Sequence, residues 1–289
     1  MAIKNGLSVD VEDYFHAEAI TAHIGREHWA SMESRVVANT YRVLDLFDEH
    51  RARATFFVLG WVADRFPELV KEIHGRGHEI GCHSYWHRLV YRLTPAEFRD
   101  DTRRAKSAIE SSIGAKVIGY RAPSFSVTSR SVWALKILSE LGFAYDSSIF
   151  PIRHDFYGIP NHMRFACSYE GDGKQKLVEI PLSTWQWANI NLPFGGGGYL
   201  RILPFAYTRR AFRQVNDVEL KPVIVYFHPW EIDPEQPRIE VPMRISLRHY
   251  TNLSRMRKRI KLLLQNYEFV PLCDFLGMKV ASSSEAVHA

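Results

Sequence analysis

Four places along the chain put metal-binding or proton-carrying side chains at spacings that chemistry can use. The tightest is His83-Ser84-Tyr85-Trp86-His87, where two imidazoles four residues apart stack on one face of a helical turn. Two such nitrogens and a carboxylate leave a position open for water on a bound cation, the arrangement of a catalytic zinc site. The same spacing also suits a capped turn with two partly exposed histidines. Gly81-Cys82 precedes the pair, however, and backbone can approach closely there. Asp10-Val11-Glu12-Asp13 brings three carboxylates within four residues. A solvated loop tolerates that, and so does a cation that offsets their repulsion. If the strand before them continues, Asp10 and Glu12 share a face; if the chain turns, Asp13 joins them. Arg121, in Tyr120-Arg121-Ala122-Pro123, can pair with a carboxylate and hold it ionised, or form a surface salt bridge. His228 ends the apolar run Val225-Tyr226-Phe227, either as a satisfied core histidine or as a fourth reactive group.

Short apolar runs alternate with helical patterns and must position these groups. Residues 6–10, 54–59, 78–81, 117–120, 143–146, 177–181, 223–228 and 268–272 read as strands. Val37, Tyr41, Leu44 and Phe47 recur at helical spacing, and residues 67–75 read as a helix stopped by Gly75 and Gly77. Thr94-Pro95-Ala96-Glu97 combines a cap, a first-turn proline and a capping-box glutamate, which predicts a helix to about residue 113. Further helices are expected at 131–141 and about 250–265. This alternation implies parallel βα units and a single-domain distorted (β/α) barrel over residues 1–280, with a frayed tail at 281–289. Residues 150–199 break the pattern and read as a long excursion over the barrel mouth. In such a fold chemistry collects at the C-terminal ends of strands. The polar residues there are Asp10, Glu12, Asp13, His83, Arg121, Asp146 and His228, a metal-hydrolase set.

Composition removes other classes. The 289 residues carry 37 Lys and Arg against 32 Asp and Glu, a net charge of +5 with the signs interspersed. A nucleic-acid binder concentrates its basic groups on one face. With 46% hydrophobic and 24% charged residues the bulk of the chain is not disordered. The longest uncharged apolar stretch, residues 54–63, is about half of what a membrane-spanning helix needs. The start, Met1-Ala-Ile-Lys-Asn-Gly, has no apolar leader, so a cytoplasmic location is expected. Cys82, Cys167 and Cys273 are odd in number and far apart, which argues against a disulfide framework. Cys82 reads as a buried thiol rather than a further metal ligand. Arg255, Arg257, Lys258, Arg259 and Lys261 oppose Leu253, Met256, Ile260 and Leu264 on one helix. A solvated face is the plainer reading, and weak contact with a membrane surface gains weight only for a lipid-linked substrate. Gly195–Gly198 lacks the Lys-Ser/Thr of a phosphate loop, which leaves a mobile flap or a tight backbone approach to substrate. Trp185 and Trp187 suit sugar stacking and core packing about equally.

Taken as an ordered set, these segments resemble the polysaccharide deacetylase (NodB-homology, carbohydrate esterase family four) family. The resemblance is carried by the Asp10 cluster, His83-Ser84-x-x-His87, Arg121-x-Pro123 and His228, and covers roughly residues 7–272. The strings SVDVEDYF (8–15), GGGYLRILP (196–204) and FHPWEID (227–233) are similar to its branch associated with exopolysaccharide and exosortase gene clusters. The resemblance implies a NodB-type barrel and a divalent metal, with Zn²⁺ first among the candidates. It implies hydrolysis of an N-acetyl group from an amino sugar, with release of acetate. Asp10 would be the general base, Arg121 the residue that holds it charged, and His228 the general acid. His83 and His87 would be metal ligands. The family's Asp-Asp pair is replaced here, so the carboxylate ligand lies between Glu12 and Asp13. Pro123 and Ser124 would border the oxyanion, with Ser124 standing where the family has an aromatic residue. Asp146 would orient His228. The expected partner is an amino-sugar polysaccharide or a lipid-linked oligosaccharide, with no nucleic acid. Two other readings remain: hydrolysis of another C–N bond, as in the cyclic-imide and allantoin hydrolases that share the barrel, and a non-catalytic saccharide-binding protein.

Overall fold

The computed structural model describes residues 3–170 and 176–278; the tail expected at 281–289 lies outside them. The first half runs β1 (Lys4–Val11), α1 (Glu18–Ile24), α2 (Val36–His50), β2 (Thr55–Val58), α3 (Gly60–Arg65), α4 (Pro67–Gly75) and β3 (Glu79–Cys82). It continues with α5 (Pro95–Ile113), β4 (Gly119–Tyr120), α6 (Trp133–Glu140) and β5 (Tyr145–Asp146). Then come β6 (Cys167–Glu170), β7 (Lys176–Glu179), β8 (Thr184–Trp187), β9 (Ile190–Pro193), α7 (Gly197–Ile202) and α8 (Phe205–Arg213). β10 (Ile224–Phe227), α9 (Met243–Tyr250), α10 (Leu253–Asn266) and β11 (Glu268–Val270) complete the chain.

This is an α/β fold with a curled, half-barrel sheet. The strand order is β10-β1-β2-β3-β4-β5-β7-β6, with β11 beside the start of β1. Within this sheet all pairings are parallel except β6 with β7. β1 lies between β2 and β10, and seven of its eight residues are buried, as parallel strands covered on both faces require. Local signals set several boundaries. Thr94 and Glu97 form the reciprocal capping box that opens α5, and α4 starts at Pro67. Among the described residues, no helix is long and apolar enough to cross a membrane.

Three regions differ from the sequence expectation. The helix expected at about 250–265 is α10, which starts only at Leu253 because Asn252 adopts a left-handed conformation (φ 59°), and α9 before it was not expected. Residues 150–199 contribute β6 and β7 to the main sheet, and β8 and β9 form a separate hairpin. Its turn uses positive φ at Ala188 and Asn189, with no glycine to mark it in the sequence. The glycine run is a splice along β10 rather than a flap. Tyr226 donates its backbone N–H to Gly195 O at 3.0 Å, and Gly196 bridges to Tyr226. A Cβ on Gly195 would come within 2.7 Å of Ile224 O, and one on Gly196 would press into the Tyr226 carbonyl and ring. Gly196→Ala should therefore lower unfolding stability by about 1–3 kcal/mol, read by urea denaturation; an unchanged midpoint would contradict this close approach.

Candidate active site

The expected residues come from the ends of four strands. Asp10 and Glu12 lie at the end of β1, each 2% exposed. His83 follows β3, Arg121 follows β4 and His228 follows β10. The His83–His87 segment is a tight turn rather than a helical one, with positive φ at Ser84 (62°) and His87 (50°). Ser84 Oγ accepts from the His87 N–H at 3.0 Å, and Asp101 on α5 accepts from Tyr85 N at 2.8 Å. The two imidazoles still meet, with ring centroids 5.4 Å apart.

Hydrogen bonding fixes how they face. His83 Nδ1 lies 2.8 Å from Arg121 O. A carbonyl only accepts, so Nδ1 carries the proton and Nε2 presents a bare lone pair. Among the described residues that buried Nε2 has no hydrogen-bond partner. It lies 3.5 Å from Glu12 Oε1, and His87 Nε2 lies 3.5 Å from the same oxygen. These separations are long for hydrogen bonds but match ligand spacing: tetrahedral bonds of about 2.0–2.1 Å set donor atoms about 3.3–3.4 Å apart. Glu12, His83 and His87 thus form a possible metal-binding group. Burial opposes the charge on Glu12, but His87, His228 and His83 outweigh it and hold its carboxyl well below the usual range.

Asp13, the other carboxylate candidate, is engaged elsewhere. The chain turns after Glu12, and Asp13 Oδ2 accepts from Ser34 Oγ (2.7 Å), Arg35 N (2.8 Å) and Val36 N (3.1 Å) at the start of α2. It caps that helix and lies outside the cluster.

Arg121 is fully buried. Its Nη1 donates to Asp10 Oδ1 at 2.8 Å and Ser8 Oγ at 2.7 Å, and its Nη2 donates to Ser147 Oγ at 2.9 Å. On the far side of the cluster, His228 Nε2 stands 3.3 Å from Glu12 Oε1 and 4.0 Å from Asp10 Oδ2. Its Nδ1 lies 3.0 Å from Glu231 Oε2, which also accepts the His228 backbone N–H. Arg201 Nε donates to Glu231 Oε1 at 2.6 Å, and both side chains are buried. Burial disfavours a charged imidazole at His228, but Glu12 and Glu231 prevail and push its pKa up to about 10.

Glu231 therefore takes the place expected for Asp146. Asp146 ends β5, several strands away from β10. It accepts from Ser148 Oγ at 2.5 Å, and Ser148 Oγ accepts from Ala122 N at 2.7 Å, so it props the Arg121-x-Pro123 segment instead. The available signal for Glu231 was its position three residues after His228 in FHPWEID; Arg201, thirty residues back, had only its place in GGGYLRILP. Pro123 opens a short turn in which Ser124 and Phe125 have positive φ. Trp185 packs against Tyr207 (5.3 Å), with Arg210 over its ring, which ties it to α8 rather than to the cluster.

Residues 30–145 match the family described as Polysaccharide deacetylase. Those residues form the NodB-type polysaccharide deacetylase domain that the motifs resemble. Residues 147–276 match a Domain of unknown function (DUF3473). A peptidoglycan-N-acetylglucosamine deacetylase of Bacillus cereus is 35% identical over 86 residues, which are 30% of this chain and 29% of that protein. The chain spans about a third of the length of the curated relatives it matches. The crystal structure of a candidate polysaccharide deacetylase from Mycobacterium smegmatis is similar at TM-score 0.58 and 21% identity, over 99% of this chain and 89% of that one. An allantoinase structure is similar at TM-score 0.57 and 12% identity, over 98% and 88%. At these identities both likenesses concern the fold.

The prop beneath Arg121 has a pH signature. Burial raises the Asp146 carboxyl to about 6, and burial together with Asp146 raises Glu179, its partner in register on β7. Carboxyls that hold protons better when folded favour folding at low pH, and that contribution is lost as pH rises through the folded value. Relative to Glu179→Gln, the wild-type chain should lose thermal stability between about pH 4 and pH 7. Parallel melting curves over that range would contradict the pairing.

Proposed function

We propose that this chain hydrolyses the N-acetyl group of an amino sugar in a polysaccharide or its precursor, releasing acetate, with a divalent cation held by Glu12, His83 and His87. The observation that carries this reading is the convergence of both Nε2 atoms on Glu12 Oε1, flanked by the Arg121–Asp10 pair and the His228–Glu231 pair. Two imidazoles and one carboxylate favour Zn²⁺, which supplies Lewis acidity toward an acetyl carbonyl and toward water.

The remaining roles follow from this chain's own groups. Arg121 and Asp10 form a charge-assisted bond at Oδ1, which leaves Oδ2 facing His228 to take a proton from the attacking water. Glu231 accepts at His228 Nδ1, so Nε2 delivers its proton to the departing amine. Arg201 and His228 overcome burial to hold Glu231 at about 2, keeping it an acceptor. The Phe125 amide already donates to Ala122 O at 3.1 Å, which leaves the Ser124 N–H to meet the developing oxyanion. That the sugar belongs to an exopolysaccharide rests on the strings at 8–15, 196–204 and 227–233.

Acetate release from N-acetylglucosamine oligomers tests the activity, and ring opening of cyclic imides or allantoin without acetate release would transfer the site to the rival hydrolase class. Asp10→Asn and His228→Ala should each lower turnover by about 10²–10⁴-fold; near-normal rates in either would refute these roles. Glu231→Gln should lower kcat far more than it changes KM. In calorimetric titration with Zn²⁺, Glu12→Gln should weaken binding. Asp13→Asn should bind as the wild type does while losing about 0.5–2 kcal/mol of stability as a weakened helix cap. Normal binding in the first, or lost binding in the second, would reverse the ligand assignment.

A further inference from the structure

The described residues include eleven large apolar side chains with substantial exposure. Six of them, Phe156, Met163, Trp187, Ile190, Met243 and Leu247, are 59–77% exposed and lie on three connected segments. The first segment leaves the C-terminal end of β5 and packs over the mouth, with Tyr157 stacked on Phe150 and both rings against Phe125. The second is the β8–β9 hairpin, held to the first where Asn191 Nδ2 donates to Pro151 O at 2.8 Å. The third is α9, whose Arg248 charge opposes the burial that raises the Tyr157 hydroxyl pKa. From α9, His249 stacks on Trp230 at 4.2 Å, and Trp230 stacks on His228 at 5.1 Å. The segments that carry the apolar tips therefore pack, through Phe125, Tyr226 and Trp230, around His228, which is 17% exposed.

The charge beside these tips leans positive. Residues 151–163, 184–193 and 235–250 carry Arg153, Arg238, Arg244 and Arg248 against Asp155, Glu235 and Glu240. Among the described residues neither Arg153 nor Arg244 forms an ion pair with a carboxylate, and the same holds for Arg255, Arg257 and Lys258 on the adjoining α10. A second copy of the chain meeting this rim about a twofold axis would bring arginines against arginines. An anionic bilayer offers the opposite charge, with an apolar layer beneath it for separate Trp, Phe, Met and Leu tips.

We infer that the mouth docks on an anionic bilayer surface through this rim, so that the amino sugar is presented from a lipid-linked saccharide. The substrate clause rests on the function proposed above; the docking does not. The test sediments the full chain with sucrose-loaded vesicles of phosphatidylcholine, with and without about one-third phosphatidylglycerol. Binding is expected to the anionic vesicles, at least about tenfold weaker to the neutral ones, and weaker again in high salt. The triple variant Trp187→Ser, Met243→Ser, Leu247→Ser should lose at least about tenfold in binding while melting as the wild type does; if it melts early, Arg153→Glu with Arg244→Glu replaces it, with the same loss expected. No sedimentation with anionic vesicles at low salt overturns docking, as does binding that all these substitutions leave unchanged. A dimer in sedimentation velocity that dissolves in the triple variant also overturns it, because the rim is then an interface between copies. His228→Ala should bind vesicles like the wild type. Vesicle binding without acetate release therefore removes only the functional reading, and acetate release without vesicle binding removes only the docking.

Discussion

A guanidinium with no access to water must have its donors answered, and Arg121 meets that demand by drawing three parts of the chain together. Its Nε donates to Ser147 O, Nη2 to Ser147 Oγ, and Nη1 to Ser8 Oγ and Asp10 Oδ1. Its backbone N–H donates to Cys82 O, and its carbonyl accepts from His83 Nδ1. The permanent charge would be strongly destabilising without the carboxylate, and the carboxylate without it. One residue thus fixes the side chain read here as a base and, through its main chain, the tautomer of a histidine read as a ligand. β1, β3 and the turn after β5 are held in mutual register by the same bonds.

Neither matched region holds the whole cluster. His83, His87 and Arg121 fall within residues 30–145, while His228, Glu231 and Arg201 fall within 147–276. Asp10 and Glu12 precede both, on the strand that lies between β2 and β10. The sheet makes the two regions one structure, because β10 must lie against β1 for His228 to reach Glu12. The glycines at 195–197 contribute to the same end by letting backbone run flush against the other side of β10.

Elements with local physical causes were legible in the sequence. The fully buried strand at 55–58, the proline-started helix at 67–75 and the Thr94 capping box each depend on residues within a few positions. The four strand-end groups were legible for a related reason, since parallel α/β sheets gather such residues at one end. What stayed hidden depended on long-range geometry. Whether Glu12 or Asp13 faces the histidines is decided by where the chain turns to meet Ser34 and the start of α2. Arg201 and Glu231 are thirty residues apart and meet only because α7 lies beside the turn after β10. The Ala188–Asn189 hairpin turn and the break at Asn252 use conformations that their residue types permit without announcing.

The bond between His228 and Glu231 spans only three residues and stays within one short turn, Pro229–Ile232 and its preceding residue. Imidazole and carboxylate therefore travel as a cassette. If the loops around the opening shift or part to admit a bulky saccharide, the two groups move together and keep their mutual bearing. A histidine partnered from a distant strand would have its proton affinity altered by the same breathing motion. Here that one partner travels with His228, while Glu12 at the end of β1 and Arg201 on α7 act on the pair from elsewhere in the fold.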